Sequence, residues 1–372
     1  MNLTITMKWA LLPVVLVLVL NLPKSTSGTS TLKLAHVIFR HGNRNPEKGS
    51  IWPGNSYDDE SYYPEGPGQL TNKGKLTEYN LGKFLRKRWD SFLGDIWNIN
   101  IQDFRSTGVN RTKMSGVTVM AGLWPPKGSN VWNAKLLWQP IPYNYESTDN
   151  DPLLYGFGCP SIGSSLVEVF NDPEISSYLN TKYADAIKIV SENTGVLNPS
   201  TDTLISYFDV MKVQEDLGFK LDSWVEQVYP EPLNSLAVEY YNILTNTTRS
   251  KQIFSGNFLK KILADTKSFI DGTLSPSSRK LFVYSAHDIN IGTILTSLNA
   301  YTLKYTPPYG ATIIFELHQI LGIYGFKLFY VDYTFGSPHP LSIPGCSHFC
   351  PFDYFRTLIN DIIPTTDGCN DV

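Results

Sequence analysis

Leu32-Lys33-Leu34-Ala35-His36-Val37-Ile38-Phe39-Arg40-His41-Gly42-Asn43-Arg44-Asn45-Pro46 is the stretch whose reading decides the fold. Leu34, Val37, Ile38 and Phe39 make its first part apolar and β-rich, and the run stops abruptly at Arg40-His41-Gly42. Such a run predicts a buried strand with a polar loop at its C-terminal end. The arrangement recurs twice. Residues 101–104 lead into Arg105-Ser106-Thr107 and a helical stripe of Met114, Val117 and Ala121, closed by Pro125-Pro126. Residues 281–284 lead into Ser285-Ala286-His287-Asp288 and the stripe Ile291, Ile294, Leu295 and Leu298. Strand, polar loop and helix in alternation predict an α/β fold, a mainly parallel sheet flanked by helices, and such sheets carry their sites at the C-terminal ends of strands. All three polar loops fall at such ends, so they can converge on one crevice.

Outward from these units the pattern changes. Residues 50–68 are rich in Gly, Pro, Asp and Tyr and read as a long surface loop. A helix is predicted to begin after Thr71, with Leu81, Phe84, Leu85 and Trp89 on one face and Arg86-Lys87-Arg88 as a solvated side rather than a binding patch. Residues 135–260 contain helix-like stretches, including 182–192 and 236–244, and little strand signal. They predict a smaller helical cap inserted into an α/β catalytic domain made of residues 28–134 and 261–372. A further helix is expected over residues 258–270, and late strands over 312–317 and 324–333 have the form of a hairpin.

Composition sets the outer bounds. At 372 residues, 42% hydrophobic and 17% charged, the chain is globular rather than disordered. Residues 1–27 read as a signal peptide: Lys8 precedes the apolar run 9–20, which is too short for a spanning helix, and Ser25, Ser27 and Gly28 supply a small-residue cleavage region. Loss of Lys8 and Lys24 with that segment takes the formal charge from −3 to −5, which argues against a nucleic-acid surface. Residues 364–372 are polar, so no membrane partner is expected and the product is read as secreted. Cys159, Cys346, Cys350 and Cys369 are an even set, for which two disulfides in any of three connectivities are the default. Cys346 and Cys350 with His348 between them leave zinc as the alternative. Sequons at Asn110 and Asn246 suit an exported glycoprotein.

The chemistry gathers around His41. Arg40 and Arg44 flank it, and guanidinium forks match phosphate oxygens while staying charged at any relevant pH. Gly42 would let the backbone approach a bound group closely, and Pro46 stiffens the loop exit. Arg105 is expected to add a third fork, His287 a further donor and Asp288 a proton source. Taken singly, a histidine after a strand or an arginine on a loop is an ordinary polar residue. Together, Arg-His-Gly-x-Arg-x-Pro arises by chance on the order of once in 10⁴ sequences of this length.

With these residues the sequence resembles the histidine acid phosphatases of the prostatic and lysosomal type, and among them most of all the insect venom acid phosphatases. The resemblance covers nearly the whole chain after the leader. It runs through Gly68-Gln69-Leu70-Thr71, Arg105-Ser106-Thr107 with Arg111-Thr112, Tyr284-Ser285-Ala286-His287-Asp288, Pro307-Pro308-Tyr309 and Pro344-Gly345-Cys346 to Cys350-Pro351. It implies a phosphoglycerate-mutase-like α/β domain with a helical cap. His41 would be the nucleophile, Arg40, Arg44, Arg105 and His287 the phosphate clamp, and Asp288 the proton donor, with no metal or cofactor. It also implies disulfides Cys159–Cys369 and Cys346–Cys350, the absence of a third disulfide that some relatives carry, and a homodimer by analogy. Gly108 and Ile289-Asn290 depart from the common family pattern, which bears on loop geometry and substrate preference.

A mechanism with its own pH logic follows from the residue types. Histidine attacks phosphorus only as neutral imidazole, its other nitrogen held as a donor, and nearby arginines disfavour the imidazolium. A general acid must carry its proton, so the two requirements together predict an acidic optimum for small phosphomonoester substrates. A phytase would need a lysine-rich pocket for several phosphates, which the acidic balance of the chain disfavours. A silent binding protein would be expected to have lost His41 or Asp288, and both are intact.

Overall fold

The computed structural model describes residues 31–155, 169, 172–332 and 335–366. Residues 1–27, read above as a signal peptide, and Cys159 and Cys369 lie outside them. The central strand is β1, Leu32–Arg40, and all its residues from Leu34 on are buried. Alternation sends Leu34 and Ile38 into one hydrophobic cluster and Ala35, Val37 and Phe39 into another on the opposite face. Burial on both faces is why the run is nearly continuous rather than alternating.

Behind β1 come α1 (Asn72–Leu93), β2 (Gln102–Ser106), α2 (Asn110–Leu123) and the two-residue β3 (Asn144–Tyr145). Helices α3 (Pro173–Lys182), α4 (Ala184–Thr194), α5 (Thr201–Asp216) and α6 (Leu233–Leu244) follow, then α7 (Asn257–Ile270), β4 (Leu281–Ala286) and α8 (Asp288–Ser297). The chain ends with β5 (Thr312–Ile320), β6 (Ile323–Val331), β7 (His339–Leu341), β8 (Cys350–Pro351) and α9 (Phe352–Leu358). Thr71 starts α1 as expected, its hydroxyl accepting from Gly74 N at 3.2 Å. Strand β3 escaped the sequence because two residues carry no periodicity.

Sheet order is β3-β2-β4-β1-β5-β6-β7, with β8 on β6. The parallel part is β3-β2-β4-β1; β5 to β8 pair antiparallel, so the sheet is mixed. Leu321 (φ +50°) and Gly322 (φ +84°) join β5 to β6, the doubly positive turn that suits a two-residue hairpin. Helices α1 and α2 cover one face. On the other, Phe258, Leu259 and Ile262 of α7 and Ile291, Ile294 and Leu295 of α8 share one cluster with Leu34 and Ile38. Helices α3 to α6 enclose a separate cluster containing Leu179, Val190, Leu204, Met211 and Leu236.

Cys346 and Cys350 form a disulfide, which overturns the zinc alternative. Among the described residues no group of three or more His, Cys, Asp or Glu is arranged to hold a metal ion, and no helix is long and apolar enough to cross a membrane.

Candidate active site

Strand register brings the polar loops together. Arg40 on β1 stands opposite Ala286 on the parallel β4, so the next residue of each strand, His41 and His287, emerge side by side with ring centroids 5.5 Å apart. Strand β2 pairs with the other edge of β4, Ser106 opposite Ser285. Thr107 then stands 3.0 Å from His287 through its Oγ1.

Backbone packing fixes the His41 loop. His41 N donates to Ala286 O at 3.0 Å, and Gly42 N donates to Ser115 Oγ at 3.1 Å. A Cβ on Gly42 would lie 2.5 Å from Gly74 O at the start of α1. The side-chain-free space therefore receives α1 rather than the bound group that the sequence suggested.

His41 is 2% exposed, and its Nδ1 lies 2.9 Å from Gly42 O. A carbonyl oxygen only accepts, so Nδ1 carries the proton and Nε2 keeps its lone pair. Burial first, then the charges of Arg111, Arg40 and Arg44 with His287 nearby, hold this histidine well below its usual pKa of 6.5. Burial and Arg111 lower His287 in the same way. Both rings are thereby biased toward the neutral form.

Four guanidiniums surround the rings or stand close by. Arg40 Nη1 donates to Pro307 O at 2.6 Å, and its Cζ sits 4.3 Å from the Tyr309 ring centroid. Arg44 donates through Nη1 to Asn45 O at 2.8 Å and through Nη2 to Asp209 of α5. Arg111 Nη1 lies 2.7 Å from Glu47 Oε1. Arg105, expected as the third fork, is ion-paired through Nη2 at 2.5 Å with the buried Asp151, and Arg111 is a further cation acting on His41 and His287. Arg40, Arg44, Arg105 and Arg111 each keep a buried Nε donor with no acceptor. Buried charged donors left unpaired are costly, and their concentration around two neutral histidines marks a site for an anion.

Asp288 opens α8, where Oδ2 accepts the Tyr241 hydroxyl at 2.9 Å and lies 3.8 Å from Arg40. Burial alone would raise its pKa, but Arg40, the Tyr241 hydrogen bond, His287 and Lys212 outweigh it and bring it to about 2. The protein's own charges thus keep this carboxyl ionised.

The crevice has a volume of about 220 Å³, lined by Arg40, His287, Asp288, Arg111 and Tyr155 and roofed by α5. Ile205, Phe208, Asp209 and Lys212 of α5 fall at i, i+3, i+4 and i+7 and all face it. Lys212 Nζ donates to Thr306 Oγ1 at 2.8 Å, and burial with Arg40 lowers its pKa to about 8. Asp209 and Lys212 were not singled out from sequence, and Arg111 was quoted there without a role. Their signal was two charges set in an otherwise apolar helical stripe, and an arginine one residue into α2.

A buried neutral histidine among arginines at parallel strand ends is an arrangement suited to handling phosphoryl groups. Residues 31–332 match the histidine phosphatase superfamily (branch 2), and the chain belongs to that family. It is accordingly a phosphomonoester hydrolase. Venom acid phosphatase Acph-1 of Apis mellifera is 33% identical over 338 residues, 90% of this chain and 86% of that protein. Human prostatic acid phosphatase is 33% identical, with 90% and 86% covered. Among solved structures, Hafnia alvei phytase in complex with tartrate shares the fold, with a TM-score of 0.69 at 16% identity over 93% of this chain and all of that one.

Proposed function

We propose that the chain is a secreted acid phosphatase that hydrolyses phosphate monoesters through a phosphohistidine on His41. The observation that carries this reading is the His41 tautomer: the Gly42 carbonyl holds Nδ1–H, so the lone pair of Nε2 is available inside a ring of arginines. Nε2 attacks phosphorus and the ester P–O bond breaks, its electron pair leaving on the alcohol oxygen. Asp288 gives that oxygen a proton. Water then attacks the phosphohistidine, Asp288 takes one of its protons, and Nε2 departs with its lone pair restored. Arg40, Arg44 and Arg105, joined by Arg111 and with His287, take up the charge on the phosphoryl oxygens.

Acid operation follows from two opposite displacements. His41 stays neutral at low pH, whereas Asp288 must gain a proton that the protein's own charges withhold. A phosphate ester loses its second proton at about pH 6, so below that it arrives as the monoanion and brings a proton with it. Once phosphate oxygens occupy Arg40, they also repel an ionised Asp288, which favours transfer of that proton to the carboxylate. Above neutrality the dianion arrives without one.

Export is supported by residues 1–27, by the Cys346–Cys350 disulfide and by the exposure of Asn110 and Asn246. Cys159–Cys369 completes the proposed pairing, and residues 135–260, which include α3 to α6, form the proposed cap. Rapid quenching with labelled substrate, chelator present, tests the mechanism: the expected adduct survives base and is lost in acid. Label trapped on an aspartate or serine would show the nucleophile to be wrong.

A further inference from the structure

A second cavity adjoins the crevice and is chemically unlike it. Its volume is about 450 Å³, and Phe208, Lys212 and Thr306 line both spaces. The rings of Phe208, Tyr229, Tyr301, Tyr305 and Tyr330 supply much of its walls, and Asn234, Lys304 and Asp332 add polar groups at its edge. About 150 Å³ is enough to hold benzene, so this space takes a substituted or fused ring system with room to spare. Stacked and edge-on contacts with five aromatic rings favour a guest that carries a flat ring.

Phe208, Lys212 and Thr306 stand where the two cavities meet. Lys212 reaches from α5 to Thr306 on the opposite loop at 2.8 Å, with Phe208 one turn earlier on the same helix face. A group joined to a phosphoryl in the crevice enters the second cavity by passing these side chains. Nothing in the phosphoryl-transfer mechanism uses this aromatic space.

We infer that the second cavity binds the alcohol portion of the substrate, and that the preferred phosphomonoesters carry an aromatic ring a few bonds from the phosphate. The inference rests on the proposed reading of the crevice as the phosphoryl site. It makes Tyr301 and Tyr305 specificity residues rather than catalytic ones. Tyr305 is 71% exposed, so its removal leaves the packed core intact.

Phenylpropyl phosphate and propyl phosphate test this, because both release a primary alkoxide and differ only in the ring. In the wild type, kcat/KM for the phenylpropyl ester should exceed that for the propyl ester by more than about tenfold, the return expected from burying a ring. Tyr305→Ala and Tyr301→Ala should each reduce kcat/KM for the phenylpropyl ester by about threefold to tenfold and leave the propyl ester within about twofold. Equal wild-type values for the two esters, or equal losses on both in the Tyr305 variant, would overturn the inference while leaving the phosphatase mechanism standing. Absence of His41-dependent turnover of propyl phosphate would overturn the crevice reading, and the inference with it.

Discussion

Replacing Asp288 by asparagine should change phosphate binding and alkyl-ester turnover in opposite directions. Asparagine keeps an oxygen to accept the Tyr241 hydroxyl, which sits 2.9 Å from Asp288 Oδ2, so the side chain should hold its place. It loses the charge that lies 3.8 Å from Arg40 and the capacity to donate a carboxyl proton. With the carboxyl held at about 2, it is protonated roughly one time in 10³ at about pH 5. If phosphate binding requires that proton, wild-type affinity is reduced by up to about 10³ relative to a side chain that needs none. Inorganic phosphate should therefore inhibit Asp288→Asn at least about tenfold more tightly, with a flatter pH dependence. Turnover should move the other way. Loss of the general acid removes about 10² to 10⁴ in the phosphorylation step for an alkyl ester, whose alkoxide needs a proton to leave. p-Nitrophenolate leaves without one and should lose far less.

Calorimetric titration of phosphate in buffers of different ionisation enthalpy counts the protons taken up. Single-turnover quench with glycerol phosphate and p-nitrophenyl phosphate isolates phosphorylation from hydrolysis of the shared phosphoenzyme. Weaker phosphate binding in the variant, or unchanged proton uptake, would refute the claim that Asp288 is the group charged with the proton. Equal losses on both substrates would make it a positioning residue.

Arg44→Lys keeps the charge but discards the fork held between Asn45 O and Asp209, and should lower kcat/KM by more than about tenfold, or 1.4 kcal/mol; a smaller loss places Arg44 outside the site. Arg111→Met removes the largest charge acting on His41, so the pKa of that histidine should rise and the acid limb of the kcat/KM profile move to higher pH, whereas Arg105→Met should leave the limb in place. An unmoved limb in the Arg111 variant would show that burial alone keeps His41 neutral. Gly42→Ala drives a Cβ to 2.5 Å from Gly74 O and should cost about 1 to 3 kcal/mol by overpacking, read as a lower unfolding temperature with displacement of the His41 loop; an unchanged melting curve would show that α1 yields freely.

What the sequence determined by itself was the local grammar. The apolar run from Leu34 to Phe39 marked β1, Thr71 marked the start of α1, and the repeated strand-loop-helix units placed His41, His287 and Asp288 at strand ends where a crevice forms. Those features depend on neighbours within a few residues, and a strand buried on both faces writes its burial into consecutive side chains. Tertiary structure alone decided which charges meet. The sequence offered Arg105 for the clamp and gave Arg111 no role, yet the packed structure pairs Arg105 with Asp151 and makes Arg111 a charge that acts on both histidines. Asp209 and Lys212 become part of the site only because α5 lies over the sheet. Whether Asp288 holds its proton is equally a matter of assembly: burial pulls one way, and Arg40 and Tyr241, from β1 and α6, pull harder the other way. Coulomb energies fall with distance and rise as water is excluded, and both quantities come into being only when segments far apart in the chain have packed.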